Sequence, residues 1–285
     1  MQPKNKIISM KKITLLFSMA ICFSTVTMAQ SNGTLNLAKG QKYVVENKLS
    51  TTTSTQVQGQ SMDSKADIAS VYNIEVKDKT DNSFNLSNTV TNIKMNMSMM
   101  GNSINFDSDS TSDLNGQMGS ALKDYINQPK DVQIDKSGNV ITKPTSDSSA
   151  SALAQQLNFD ATGYGSQMAF LALPQNLKVG STWSDKNDQD GITKSTNYVV
   201  KDLSSGIATV SFSGTVGTNK TFEQQGMEVS AKTTGKFSGE EKVDTKTGVV
   251  QTNTSTTEAS GTVTAMGQDF PTTTKIISTT SVKAL

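Results

Sequence analysis

Three short segments hold residue types whose spacing could do acyl-transfer chemistry. In Ser120-Ala121-Leu122-Lys123 the Ser and Lys stand one helical turn apart, which places a hydroxyl beside an amine, and Ser137-Gly138-Asn139 and Lys246-Thr247-Gly248 follow in the order of a serine acyl-transferase. The spacing argues against it. Only 13 residues separate Lys123 from Ser137, too few for the helical domain such an enzyme places there. Both later triplets also sit in turn-like stretches, where hairpin geometry by itself calls for Gly. The chain is therefore not read as an enzyme.

Other side chains could hold an ion or an apolar ligand. Asp107, Asp109 and Asp113, and separately Asp185, Asn187, Asp188 and Asp190, offer oxygens at near-alternate positions that suit Ca²⁺. The second group fails the EF-hand register, because position twelve would be Asn197 rather than Glu, and a solvated hairpin loop accounts for it. Methionine is the unusual apolar residue, at 13 in the chain, and Met95, Met97 and Met99 project to one face of a strand. Thioethers could ligate Cu(I), but flexible Met also lines adaptable apolar grooves. The residues expected to line an apolar-ligand site are Met95, Met97 and Met99 with Leu122, Tyr125 and the single tryptophan, Trp183. No motif calls for a cofactor or a resident metal.

Composition removes most alternatives. All 26 basic side chains are Lys, and neither Arg nor His occurs, so there is no imidazole base, no His-ligated metal and no bidentate guanidinium. With 25 acids the net charge is +1, too balanced to imply nucleic acid or an anionic membrane surface as partner. The 36 Ser and 37 Thr favour exposed antiparallel strands.

The N-terminus reads as a signal peptide. Lys4, Lys6, Lys11 and Lys12 precede an apolar run from Ile13 to Phe23, and Thr27-Met28-Ala29 offers a cleavage site after Ala29. The run is far short of the roughly 20 residues that a spanning helix requires, so the protein is expected to be exported, to the periplasm or beyond, and not integral to a membrane. The only cysteine, Cys22, lies within the leader. Stability must then come from sheet pairing and burial rather than a disulfide.

The elements that must position these side chains follow from periodicity. Tyr43 and Val45, then Tyr72, Ile74 and Val76, then Phe84, Leu86 and Val90, and finally Ile93, Met95, Met97 and Met99 alternate with polar residues, as half-buried strands do. Leu114, Met118, Leu122, Tyr125 and Ile126 form an apolar stripe that predicts one helix ending before Pro129. Further helices are predicted over 150–157 and 167–173, with Lys143–Ser149 as an exposed linker. The strand pattern then resumes and echoes the first half. Gly40-Gln41-Lys42-Tyr43 matches Gly180-Ser181-Thr182-Trp183, Val76-Lys77-Asp78 matches Val200-Lys201-Asp202, and Ile134-Asp135 to Val140 resembles Val243-Asp244 to Val249. The Thr-rich stretches Val249–Thr264 and Thr272–Val282 are expected to be solvated or edge strands.

Leu173-Pro174, Leu177 and Val179-Gly180-Ser181-Thr182-Trp183 resemble the central signature of an uncharacterised family of exported Gram-negative bacterial β-rich proteins. That resemblance implies no activity. A curved sheet with helices against its concave side is also similar to the lipoprotein-carrier fold of periplasmic lipid chaperones.

The expectation is an α+β, mainly β, fold: a strongly curved antiparallel sheet or incomplete barrel from two related meanders, with helices on its concave face. A leader over 1–29 would precede one domain with halves 30–142 and 174–285, joined by a helical linker over 143–173. The expected role is non-catalytic, sheltering a lipid or other apolar ligand between sheet and helices. The alternative is a structural or protein-interaction module of the cell envelope.

Overall fold

The computed structural model describes residues 33–99, 101–142, 164–189, 191–224 and 227–285. The expected leader, the linker Lys143–Ser149 and the expected helix at 150–157 lie outside these residues. The first half supplies β1 (Lys42–Val57), β2 (Gln60–Lys79), β3 (Ser83–Met99), β4 (Asn102–Asp107), β5 (Lys130–Asp135) and β6 (Val140–Thr142). The second supplies β7 (Thr182–Gln189), β8 (Ile192–Ser204), β9 (Ile207–Gln224), β10 (Met227–Asp244), β11 (Val250–Ala265) and β12 (Gln268–Ala284). Among the described residues three short helices interrupt them: α1 (Thr111–Leu114), α2 (Gln117–Leu122) and α3 (Tyr164–Ala169).

All these strands belong to one open antiparallel sheet in the order β6-β5-β3-β2-β1-β12-β11-β10-β9-β8-β7, with β4 beside β3. Each half is a meander of hairpins. The halves join at a single seam, where the first strand pairs with the last from Tyr43↔Ala284 to Thr55↔Thr272. Tight turns at Gln58-Gly59 and Ser205-Gly206 place two successive residues at positive φ, as two-residue hairpins demand.

The alternating residues do face one side. Val45, Tyr72, Ile74, Val76, Phe84, Leu86, Val90 and Ile93 are buried in one cluster with Leu122, Ile126 and Phe170, while the intervening positions carry Lys, Glu, Asn and Thr. The sheet curls hard at the end where that cluster lies. Leu35 N donates to Lys136 O at 2.7 Å and Asn36 N donates to Thr247 O at 3.1 Å, so consecutive amides bind the β5–β6 and β10–β11 turns. Strands β5 and β11 are five spacings apart, roughly 24 Å across a flat sheet, yet the two turns lie within about 10 Å. Only strong curvature reconciles the two distances.

The two halves share one turn bond for bond and a second, Asp-capped turn that is one residue longer in the second half. Gly40 N donates to Val76 O, and Val76 N to Gln41 O; Gly180 N donates to Val200 O, and Val200 N to Ser181 O. Pairing register slips just after each valine. The Asp135 carboxylate accepts from Ser137 N and Asn139 N, and that of Asp244 from Lys246 N and Thr247 N.

Three expectations need correction. The helix predicted across Leu114 to Ile126 is two helices, α1 and α2, separated at Asn115-Gly116; the apolar stripe persists in packing because Leu114, Met118 and Tyr125 rest on the same core as Leu122 and Ile126. The helix predicted over 167–173 ends at Ala169, where Phe170 forms an antiparallel bridge to Val249 and Leu171 N donates to Gly248 O at 2.8 Å. The Thr-rich β11 and β12 are central strands, not edges. Their inward threonines bury the methyl and pair hydroxyls across the seam, Thr53 with Thr274 at 3.1 Å and Thr55 with Thr272 at 3.3 Å.

Candidate functional site

Antiparallel pairing sets side chains in rows across a sheet. On the inner face of the second half one row runs Asp185–Thr196–Gly214–Phe237–Thr257, the next Trp183–Tyr198–Phe212–Gly239–Ser255, and a third carries Val210–Glu241–Asn253–Thr280. Aromatic rings face glycines directly across this floor. A Cβ on Gly214 would meet the Phe237 ring at 2.6 Å, and one on Gly239 would run into the Phe212 ring, so both glycines give up their side chains to let the rings lie flat. The result is an aromatic ladder. Trp183 stacks on Tyr198 with centroids 4.9 Å apart and planes 7° from parallel, and Tyr198, Phe212 and Phe237 follow at 6.3 Å steps.

At the end of that ladder the Lys194 ammonium stands 4.9 Å over the Phe237 ring. Glu241 is buried in the next rows, and its Oε2 accepts a hydrogen bond from Asn253 Nδ2 at 3.0 Å. Burial pushes the Glu241 carboxyl up to about 7, against the Asn253 hydrogen bond and the attraction of Lys194. Burial likewise pushes Lys194 down to about 8, although Glu241 and Asp185 favour its charge. Lys194 as a whole is half-buried, and protein atoms crowd its ammonium. The Tyr198 hydroxyl is also held above its ordinary range by burial, with Glu241 and Asp185 adding to it.

Helix α3 rests mainly on β1, β2 and β3 and reaches this floor at β11, while the extended residues after it, Leu171 and Leu173, cover the floor by packing with Tyr198, Val210 and Val250. Thr280 Oγ1 donates to Met168 Sδ at 3.6 Å, and the Phe170 bridge to Val249 fixes the far end. Between cover and floor lies a cavity of about 50 Å³, lined by Met168, Phe170, Lys194, Phe237, Glu241 and Asn253 among others. It has room for a few waters and falls well short of the roughly 300–1,000 Å³ of ligand pockets. A larger open groove, about 480 Å³, lies on the outer face, where Ala69 forms the base between Lys48, Lys94, Ile277 and Thr279.

The residues expected to line a ligand site are only partly brought together. Met95 and Leu122 are buried in the larger core and Tyr125 packs against it. Met97 and Met99 continue along the same face of β3, half-buried opposite Ile104 and Asn102. Trp183 belongs to a different cluster, with Tyr198, Val210 and Phe212. The residues that sequence reasoning missed are Lys194, Glu241 and Asn253. Their signal was parity: Phe237, Gly239, Glu241 and Val243 alternate inward, so the charge at 241 sits at a core position.

The other candidate groups are spread over the molecule. Ser120 and Lys123 are both exposed, and Ser137-Gly138-Asn139 and Lys246-Thr247-Gly248 form the turns capped by Asp135 and Asp244. Asp107 pairs with Lys94 at 2.9 Å, and the Asp113 carboxylate accepts from Asp107 N. Asp185 faces inward while Asp188 is exposed, and Asp190 lies outside the described residues.

The profile of a family of unknown function, DUF6263, matches residues 81–162 and 142–250. No curated protein matches the sequence. Among solved structures, one of lipovitellin, described for its lipid–protein interactions, is similar with a TM-score of 0.48 and 13% identity over 87% of this chain and 25% of that one. The chain thus spans about a quarter of lipovitellin's length. An outer membrane channel from Pseudomonas putida F1 is similar with a TM-score of 0.27 and 10% identity over 90% of this chain and all of that one. Both likenesses are too distant to bear on function. Among the described residues no helix is long and apolar enough to cross a membrane.

Proposed function

The chain belongs to DUF6263, a family of unknown function, so its role has to be argued from its own geometry, and we propose that it is an exported, non-catalytic protein that binds a lipid or other apolar ligand on the inner face of its sheet. One observation carries this reading. The inner floor of β8–β12 is a field of apolar and hydroxyl side chains, among them Val210, Phe237, Val263, Phe270 and Ile276, interrupted by the polar group Lys194, Glu241 and Asn253, whereas the outer face is mainly polar. Among the described segments, α3 and the few residues after it reach that floor, and a cavity remains beneath them. A ligand with an acyl chain enters by displacing Met168 and Phe170, which line that cavity together with Phe212 and Phe237. The signal-like segment at 1–29 supports export, and the matching turn bonds of the two halves support descent from one duplicated meander.

Native mass spectrometry of protein purified from its own host tests the reading. An apolar molecule that copurifies and is removed by organic extraction is the expected result. Protein that carries none, and takes up none when incubated with dodecanol, contradicts it. A role as an envelope interaction module is favoured by one feature only: β4 pairs β3 alone and exposes Ile104 at the sheet margin.

A further inference from the structure

We propose that the cavity between Lys194, Glu241 and Asn253 receives the head group of an anionic amphiphile, a carboxylate or phosphate on an apolar chain. This rests on the reading of the inner floor as an apolar-ligand face and names the ligand class for it. The cavity is too small for a chain but has room for a head, and Phe212, Phe237, Met168 and Phe170 add apolar surface to its lining.

Its polar groups favour an anion. The Lys194 ammonium faces the Phe237 ring and carries three N–H donors, while Asn253 already holds one Glu241 oxygen. Ser255, Thr257 and Ser278 add hydroxyls to the same lining. An oxyanion seated between Lys194 and Glu241 accepts from the ammonium and from Glu241 in its protonated form. The proton involved is taken from solvent and stays on Glu241, so anion binding and protonation of the site reinforce each other. A cationic head would instead confront Lys194. The titratable groups around Glu241 are Lys194 and Tyr198 from β8, both of which also feel Asp185 from β7; β9, β11, β12 and the cover present Phe212, Asn253, Thr257, Ser278, Thr280, Gln167 and Met168. Raising pH through about 7 and then about 8 strips first Glu241 and then Lys194 of its proton, and weakens the anion on both counts.

The test titrates the full chain with dodecanoate, dodecanol, dodecyltrimethylammonium and inorganic phosphate, each below its micelle concentration where one exists, at pH 6.5 and pH 9, by calorimetry. Dodecanoate is expected to bind at least tenfold more tightly than dodecanol at pH 6.5, with most of that advantage lost at pH 9. Lys194→Met should abolish the advantage of dodecanoate over dodecanol. Equal binding of dodecanoate and dodecanol, or a preference for the ammonium, overturns the head-group assignment while the apolar-ligand reading stands. Phosphate bound as tightly as dodecanoate reduces the site to a free-anion site and overturns the amphiphile. Failure of all three alkyl probes removes the apolar-ligand reading itself. Should Lys194→Met not fold, the ratio and its pH dependence in the wild-type chain decide the matter alone.

Discussion

A carboxylate that faces inward from the middle of a sheet is costly to ionise, and Glu241 shows the consequence in a pKa near 7. Because the folded value lies above the ordinary value of 4.5, Glu241 contributes stability that is fully present below about pH 4.5 and is lost as pH rises through about 7. A displacement of that size is worth about 3 kcal/mol. Lys194 runs the other way at higher pH: its folded value is depressed to about 8, so its contribution is present above 10.5 and is lost as pH falls through 8. Glu241→Gln keeps an oxygen for Asn253 and removes the titration. The difference in urea-unfolding stability between variant and wild type is therefore predicted to shift in favour of the variant between pH 5 and 7, by up to about 3 kcal/mol. A difference that stays flat across that range would mean that Glu241 ionises as freely as an exposed carboxyl.

Among the elements, β9 and β10 are tied by rings lying on glycines, and this is the packing that holds the aromatic ladder flat. At Gly239 a methyl group would collide with the Phe212 ring and with the backbone oxygen of Thr254, which the sheet holds in place. Gly239→Ala is predicted to destabilise the protein by about 1–3 kcal/mol, the range for overpacking, where an unhindered strand glycine would gain from the change. Chemical denaturation measures it, and a variant as stable as wild type would contradict the close packing. The elements also show how far sequence reasoning reached. Alternation located the strands around Tyr43, Tyr72, Phe84 and Ile93, because one face of each is mostly apolar, with Asn47, Ser70 and Asn88 as the buried polar exceptions. The broken helix was hidden because the stripe from Leu114 to Ile126 reads straight through Gly116, where the chain leaves and re-enters helix without losing its apolar face. Strands β11 and β12 looked peripheral because their inward residues are Thr, which is polar in any count yet buries well when hydroxyls pair with each other. The ligand site was least legible, since Lys194, Glu241 and Asn253 come from three strands and meet only once the pairing register is known.

For the molecule as a whole, the decisive feature is the seam between β1 and β12, which makes one sheet of two meanders. Leu35 and Asn36 reinforce it by binding a turn from each half. The chain is predicted to unfold as one cooperative unit, so the Trp183 signal from the second half and far-ultraviolet circular dichroism from both halves should give superimposable urea curves. Separate midpoints would show that the halves are independent. The curl drawn by that seam is also what turns the inner face into a sheltered floor and leaves the outer face to water. A crystal of the full chain grown with 1-bromododecane puts this partition to the test. Anomalous bromine signal between α3 and the floor of β8–β12 is the predicted result; signal confined to the outer groove beside Ala69 and Ile277, or none at all, would contradict it.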